Sequence, residues 1–370
     1  MTKKILTISI PTWNRAKLVK DLLDSLIVQI LQDNLSDEIE IVVSNNGSED
    51  NTHEVVEELR SKYSFITYNR NAYNIGGNPN VMKSMQMANA VFFMVLGDDD
   101  RITEGSLKRI VDYLKSKPEA GIVIDSQYFK TKFLEGEIPL NDLLRNEYWR
   151  MGNAGMFVMR SVFAKDCLSK FGNDFFNDCW SQIQFMILGL HGVGITNPDL
   201  RLKVYTKDLD IISHSIHGEV TIYTSFYLWN TTYYQLFRTI KTLENIVDKE
   251  TSDAAKGYLK GSLIQVVFNI LQCGVFIDSK EERQKTIAHI RKNLHQFSSY
   301  EKRFLRIILF ELMLPSSLAR LLSNVFIFLL KGKTGIIKKN YFVRAERNKR
   351  EKAKKAKSID VRILEFSNEN

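Results

Sequence analysis

Three consecutive carboxylates, Asp98-Asp99-Asp100, follow a run of six apolar residues, Val91 to Leu96, with only Gly97 between. Adjacent carboxylates repel one another, so such a triplet is costly unless a cation sits among them. Hard oxygen donors on a tight turn suit Mg²⁺ or Mn²⁺, usually shared with the phosphates of a substrate. The apolar run is short and rich in Val and Phe, and reads as a strand buried on both faces of a mostly parallel sheet. In open α/β sheets, ligands gather at the carboxyl ends of the strands. Taken alone, the triplet also fits a solvated acidic turn ahead of a helix beginning near Thr103.

The elements that must position this turn alternate in type. Lys4–Ile10 reads as a first strand stopped by Pro11, with Thr12-Trp13-Asn14-Arg15 as a polar turn at its end. Residues 17–32 carry a wide apolar stripe at helical spacing. Ile39–Val43 is a second buried strand and ends in Ser44-Asn45-Asn46-Gly47-Ser48-Glu49-Asp50, a cluster of turn and capping residues before a Thr52–Lys62 helix. Phe65–Arg70 is a third strand, followed by Asn71 to Asn80 and a helix over Val81–Asn89. Gly121–Ser126 reads as a further strand. Strands alternating with helices predict a doubly wound α/β domain. Every polar cluster falls where a strand ends, on one rim of the sheet.

Several function classes are excluded by what is missing. There is no G-x-G-x-x-G after the first strand, no G-x-x-x-x-G-K-[ST] and no G-x-S-x-G, which argues against dinucleotide oxidoreductases, P-loop enzymes and α/β-hydrolases. The cysteines Cys167, Cys179 and Cys273 have neither disulfide-framework nor zinc spacing. No secretory leader and no spanning segment is apparent, so a cytoplasmic location is expected.

Four segments in order, Ile10-Pro11-Thr12-Trp13-Asn14-Arg15, Val42-Val43-Ser44-Asn45-Asn46-Gly47-Ser48, Asn74-Ile75-Gly76 and Leu96-Gly97-Asp98-Asp99-Asp100, resemble the N-terminal half of family 2 glycosyltransferases of the GT-A fold. The likeness covers about residues 3–215 and is strongest to about 115. It implies an α/β GT-A catalytic domain, Rossmann-like with a mostly parallel central sheet; from Tyr223 onward Tyr, Phe, Leu and Ile recur at helical spacing and read as a C-terminal helical appendage. The likeness also implies that Pro11, Thr12, Asn14 and Arg15, with Asn45, Asn46 and Gly47, hold the base and ribose of a nucleotide-sugar, a UDP-sugar being favoured. Asn74, Gly76 and Gly77 would line the donor site. Asp98 and Asp99 would reach the donor, and Asp98, Asp100 and His214 the Mn²⁺ or Mg²⁺ ion; the division of labour among the three Asp stays open. The family commonly has Asp where Asn45 stands.

Tyr148 to Arg160 resembles the family's acceptor-side segment. In Asn173-Asp174-Phe175-Phe176-Asn177-Asp178, Asp178 stands where the family carries its general base, with Asn177 in place of a Glu and Asp174 close by. A carboxylate there would take the proton of an acceptor hydroxyl in an inverting transfer. A helix cap is the other use of the same residue.

The net charge of +8 has one source: twelve Lys/Arg between Lys331 and Lys357 stand against Glu346 and Glu351, leaving residues 1–330 neutral. Just before this run, Phe304–Leu314 and Leu318–Leu330 are apolar stretches too short to span a bilayer but suited to its interface. A basic run beside such segments is drawn to anionic lipid. Few aromatics interleave it, which argues against nucleic acid. The expected organisation is a 1–220 transferase domain, a 221–300 helical appendage, a 301–357 membrane-associating segment and a 358–370 tail. The expected activity is inverting, metal-dependent transfer of a sugar to a lipid-linked glycan, on the inner face of a bacterial membrane and in the synthesis of capsule, O-antigen or a related surface polysaccharide. Two other classes stay open: a sugar nucleotidyltransferase sharing the sheet, and a catalytically silent adaptor, to which Asn45 and Asn177 lend weight.

Overall fold

A computed structural model describes residues 3–126, 135–147, 154–172, 181–191, 203–211 and 244–257, together with short pieces between 284 and 318. The chain divides into two compact units, the first holding the described residues up to 257 and the second those from 284 onward. Asp178, Asp174, Asn177, His214, residues 148–153 and the basic run 331–357 lie outside the described residues.

The first unit is built on one eight-stranded sheet in the order β3-β2-β1-β4-β7-β5-β8-β6. The strands are β1 (Leu6–Thr12), β2 (Ile39–Asn45), β3 (Ile66–Arg70), β4 (Phe92–Val95), β5 (Ala120–Asp125), β6 (Gly136–Ile138), β7 (Phe157–Arg160) and β8 (Lys203–Lys207). The helices are α1 (Ala16–Gln32), α2 (Thr52–Lys62), α3 (Gly77–Gln86), α4 (Ser106–Ser116), α5 (Leu140–Glu147), α6 (Ser161–Phe171) and α7 (Ser181–Leu190). Strands β1 to β4 pair in parallel and β8 is parallel to β5. Strand β7 runs antiparallel between β4 and β5, and β6 antiparallel to β8.

The alternation along β1 shows how the sheet is sandwiched. Leu6, Ile8 and Ile10 join the main core with Val19, Leu22, Leu26 and Ile30 of α1, Val56 of α2 and Ile110 of α4. Thr7 and Ser9 point the other way, Ser9 Oγ donating to Ser84 O of α3 at 3.1 Å. Helices therefore cover both faces, as continuously apolar parallel strands require. On the second face α6 and α7 meet closely: a Cβ on Gly189 would come within 2.4 Å of the Phe163 ring.

Two sequence expectations are corrected. Pro11 does not stop β1, which continues to Thr12 in register with Asn45 of β2. The β4 ladder has already ended at Ser9 and Val95, so the edge on which Pro11 would need an N–H carries no partner strand. Helix α3 begins at Gly77 rather than Val81. Pro79 lies in its first turn, where the missing N–H has no intrahelical partner to lose.

Among the described residues, no helix is long and apolar enough to cross a membrane.

Candidate active site

Strand order reverses between β1 and β4, and this is where an open α/β sheet forms a crevice at its carboxyl edge. Because β1 to β4 are parallel, their exits deliver the turns 12–15, 45–48, 71–76 and 97–100 to the same rim. Backbone hydrogen bonds tie these turns together: Asn46 N donates to Thr12 O, Asn71 N to Asn45 O and Leu96 N to Ser9 O, each at 2.9 Å.

At the crevice, Asp98 is 4% exposed. Its Oδ2 accepts from Thr12 Oγ1 at 2.7 Å and its Oδ1 from Arg15 Nη1 at 2.7 Å. Burial raises its pKa, and the Arg15 charge and the Thr12 hydroxyl offset only part of the rise. Arg15 also reaches Asp99 at 3.7 Å. Asp98, expected as a metal ligand, is thus engaged at both oxygens with a guanidinium against one of them. These contacts tie the turn after β1 to the turn after β4.

Asp99 and Asp100 fold back over Gly97. A Cβ there would lie 2.9 Å from Asp99 Oδ1 and 2.9 Å from Asp100 Oδ2, so a side chain at this position would push the two carboxylates aside. Asp100 Oδ2 accepts from Gly97 N at 3.2 Å. Burial, then repulsion from Asp99, lifts the Asp100 pKa to about 6. Two converging hard-oxygen donors fit a divalent cation. Among the described residues, no group of three or more His, Cys, Asp or Glu could hold a metal by itself, so remaining ligands would come from phosphate oxygens, water or residues outside that set.

The two loops beside this turn are fastened by asparagines. Asn46 is buried; its Nδ2 donates to Asn74 Oδ1 at 2.8 Å and to Gly76 O at 3.1 Å. Its Oδ1 accepts from Ile75 N at 2.9 Å and Asn71 Nδ2 at 3.1 Å. Gly47 has φ +69°, and a Cβ there would lie 2.6 Å from the Tyr73 carbonyl carbon. Glycine is needed here because one loop passes directly over the other. Asn14, at φ +52°, receives Glu49 N on its Oδ1 at 2.8 Å.

Asn45 is 0% exposed. Its Oδ1 accepts from Ser48 N at 2.9 Å and its Nδ2 donates to Tyr68 OH at 2.8 Å. It therefore shapes the Gly47–Ser48 turn from beneath. The half-exposed or exposed members of the expected set are Pro11, Asn14, Arg15, Gly47, Asn74, Gly77, Asp99 and Asp100.

Sequence reading passed over three members of this arrangement. Asn71 and Asn80 bond each other at 3.0 Å, and Asn80 Nδ2 donates to Ser44 O at 2.9 Å. Asp125 is 0% exposed at the end of β5, and accepts from Ile211 N at 2.7 Å and Leu209 N at 3.4 Å. Thr103 N donates to Ile211 O at 3.0 Å, which fastens segment 209–211 just past the acidic turn. The signal for Asp125 was a carboxylate closing the apolar run Gly121–Ile124, the same pattern that singled out Asp98.

A doubly wound sheet with four strand-end turns gathered around a Gly-Asp-Asp-Asp turn is a fold of the GT-A type. Residues 7–162 match the family model for glycosyl transferase family 2. The chain is 34% identical over 116 residues to abequosyltransferase RfbV of Salmonella typhimurium, covering 31% of this chain and 34% of that protein. It is 32% identical over 108 residues to the GalNAc(5)-diNAcBac-PP-undecaprenol beta-1,3-glucosyltransferase of Campylobacter jejuni, covering 29% of this chain and 33% of that one. The matches span about a third of the length of these relatives. Residues 1–349 of S. aureus TarS superpose with a TM-score of 0.52 at 16% identity, covering 83% of this chain and 90% of that one, a likeness of fold alone.

Proposed function

We propose that this chain is an inverting, metal-dependent glycosyltransferase that moves a sugar from a nucleotide-sugar to a hydroxyl of a lipid-linked glycan, at the inner face of a bacterial membrane. The observation that carries the reading is the convergence of Thr12, Arg15, Asn74 and the Asp98–Asp100 turn on one rim. The C. jejuni relative's name, which specifies a polyprenyl-diphosphate glycan, supports the acceptor class. The basic run 331–357 supports an anionic membrane surface as a further partner.

In this mechanism, the turns 12–15 and 45–48 receive the nucleoside. Asn46 holds the 74–76 loop in place around the donor, and glycines let the backbone approach it closely. Asp99 and Asp100 would hold a divalent ion, which supplies charge stabilisation for the departing diphosphate. Asp178 takes the proton of the acceptor hydroxyl as that oxygen bonds to the anomeric carbon and the carbon–phosphate-oxygen bond breaks. Attack from the face opposite the leaving group inverts the anomeric centre.

Slow hydrolysis of nucleotide-sugars, with a UDP-sugar first in the panel, tests the reading without an identified acceptor. Wild type should release nucleoside diphosphate with Mn²⁺ and not with chelator, while Asp178→Ala keeps donor binding and loses turnover. Absence of binding and hydrolysis for every donor would leave a silent adaptor as the better account.

A further inference from the structure

In the second unit, helix α8 (Ser299–Met313) carries two distinct stripes. Leu305 and Leu309 are buried. Arg303, Arg306, Phe310 and Met313 repeat at spacings of three and four, so they share one face, and all four are exposed. Phe310 is 62% exposed and Met313 61%, with Leu318 beyond Pro315 at 43%. Of the six large apolar side chains exposed among the described residues, these are three, and they lie within nine positions. Scattered exposed apolar residues are ordinary, whereas a cluster marks a contact surface. Arg291 Nη2 lies 3.4 Å from Met313 Sδ, which adds a third guanidinium to the apolar end of the stripe. The chain then continues through an apolar stretch into the basic run 331–357.

We propose that this stripe of α8 is a docking face for an anionic lipid surface. Arg291, Arg303 and Arg306 meet headgroup phosphates, and Phe310, Met313 and Leu318 enter the apolar layer beneath. Charge complementarity selects this occupant: guanidinium groups flank exposed apolar side chains, the pattern of an interfacial helix. The inference deepens the membrane part of the proposed function, and its test needs no nucleotide-sugar, so the two fail separately.

The test is co-sedimentation of the full chain with phosphatidylcholine vesicles, with and without phosphatidylglycerol. Wild type binds only the vesicles containing phosphatidylglycerol, and less as salt is raised. Each basic residue at such a surface accounts for about fivefold in affinity, so Arg303→Glu/Arg306→Glu binds at least about twentyfold more weakly. Arg303→Lys/Arg306→Lys binds as wild type, because the attraction is to charge. Phe310→Ser/Met313→Ser binds at least about fivefold more weakly. All four positions are exposed, and an unchanged melting temperature verifies that each variant is folded. Wild type failing to bind, binding neutral vesicles equally well, or both the Glu and the Ser pairs binding as wild type would overturn the proposal. Self-association lost in the Ser pair, without vesicle binding, would also overturn it and assign the face to a second copy.

Discussion

Arg15 Nη1 lies 2.7 Å from Asp98 Oδ1, and this ion pair joins the turn after β1 to the turn after β4. Asp98 is almost fully buried, so the guanidinium is what makes its ionised form tolerable there. Arg15→Ala leaves that carboxylate with one hydroxyl partner, and breaking a buried pair is costly. Because the Arg15 side chain is 32% exposed, water recovers part of the loss, and a destabilisation of about 2 kcal/mol is expected. Urea denaturation measures it. In a double-mutant cycle, Arg15→Ala in an Asp98→Asn background should cost less than half as much; equal costs would mean the pair is not coupled.

Gly47→Ala should damage the rim more than any other single methyl. The residue has φ +69° and its added Cβ would strike the Tyr73 backbone. The conformational cost is about 1–2 kcal/mol and the collision adds to it. Donor affinity should fall at least about tenfold while far-ultraviolet circular dichroism stays near wild type. Unchanged affinity would show that the 71–76 loop does not shape the donor site.

Asp125→Ala strands the buried N–H groups of Leu209 and Ile211, with an expected loss of about 2–4 kcal/mol. Asp125→Asn keeps an acceptor and should lose less. Hydrogen exchange should quicken at Ile211 and Thr103, since both belong to the same fastening.

The Asp100 pKa gives a pH signature in the presence of chelator. Its folded value is raised from 3.8 to about 6, so the folded state binds the proton more tightly than the unfolded chain. That contribution to stability is full below about pH 4 and is lost as pH rises through about 6. The melting temperature of wild type should therefore fall between these values relative to Asp100→Asn, which lacks the titration. Parallel curves would contradict the burial of this carboxylate.

The buried strands, with residues facing helices on both sides, were legible because continuous Val/Ile/Phe runs have no other stable use. The crevice was legible because strand-end polar clusters can only lie on one rim if the strands are parallel. The insertion of β7 between β4 and β5 was not legible, since antiparallel pairing of distant segments leaves no local trace. The burial of Asn45 was not legible for a related reason: it depends on Tyr68 arriving from another strand. Residue type singled out Asp98, but its contact with Arg15, eighty-three positions away, left no trace in the local sequence.

The central claim is that the acidic turn binds a nucleotide-sugar through a divalent ion. The direct measurement is calorimetric titration of a nucleotide-sugar panel, UDP-sugars first, into wild type and Asp100→Ala with Mn²⁺ and with chelator. The account predicts one donor binding wild type with Mn²⁺, at least about hundredfold weaker binding with chelator, and the same loss in Asp100→Ala. Equal affinity for that donor in Asp100→Ala and in wild type, with or without metal, would contradict it.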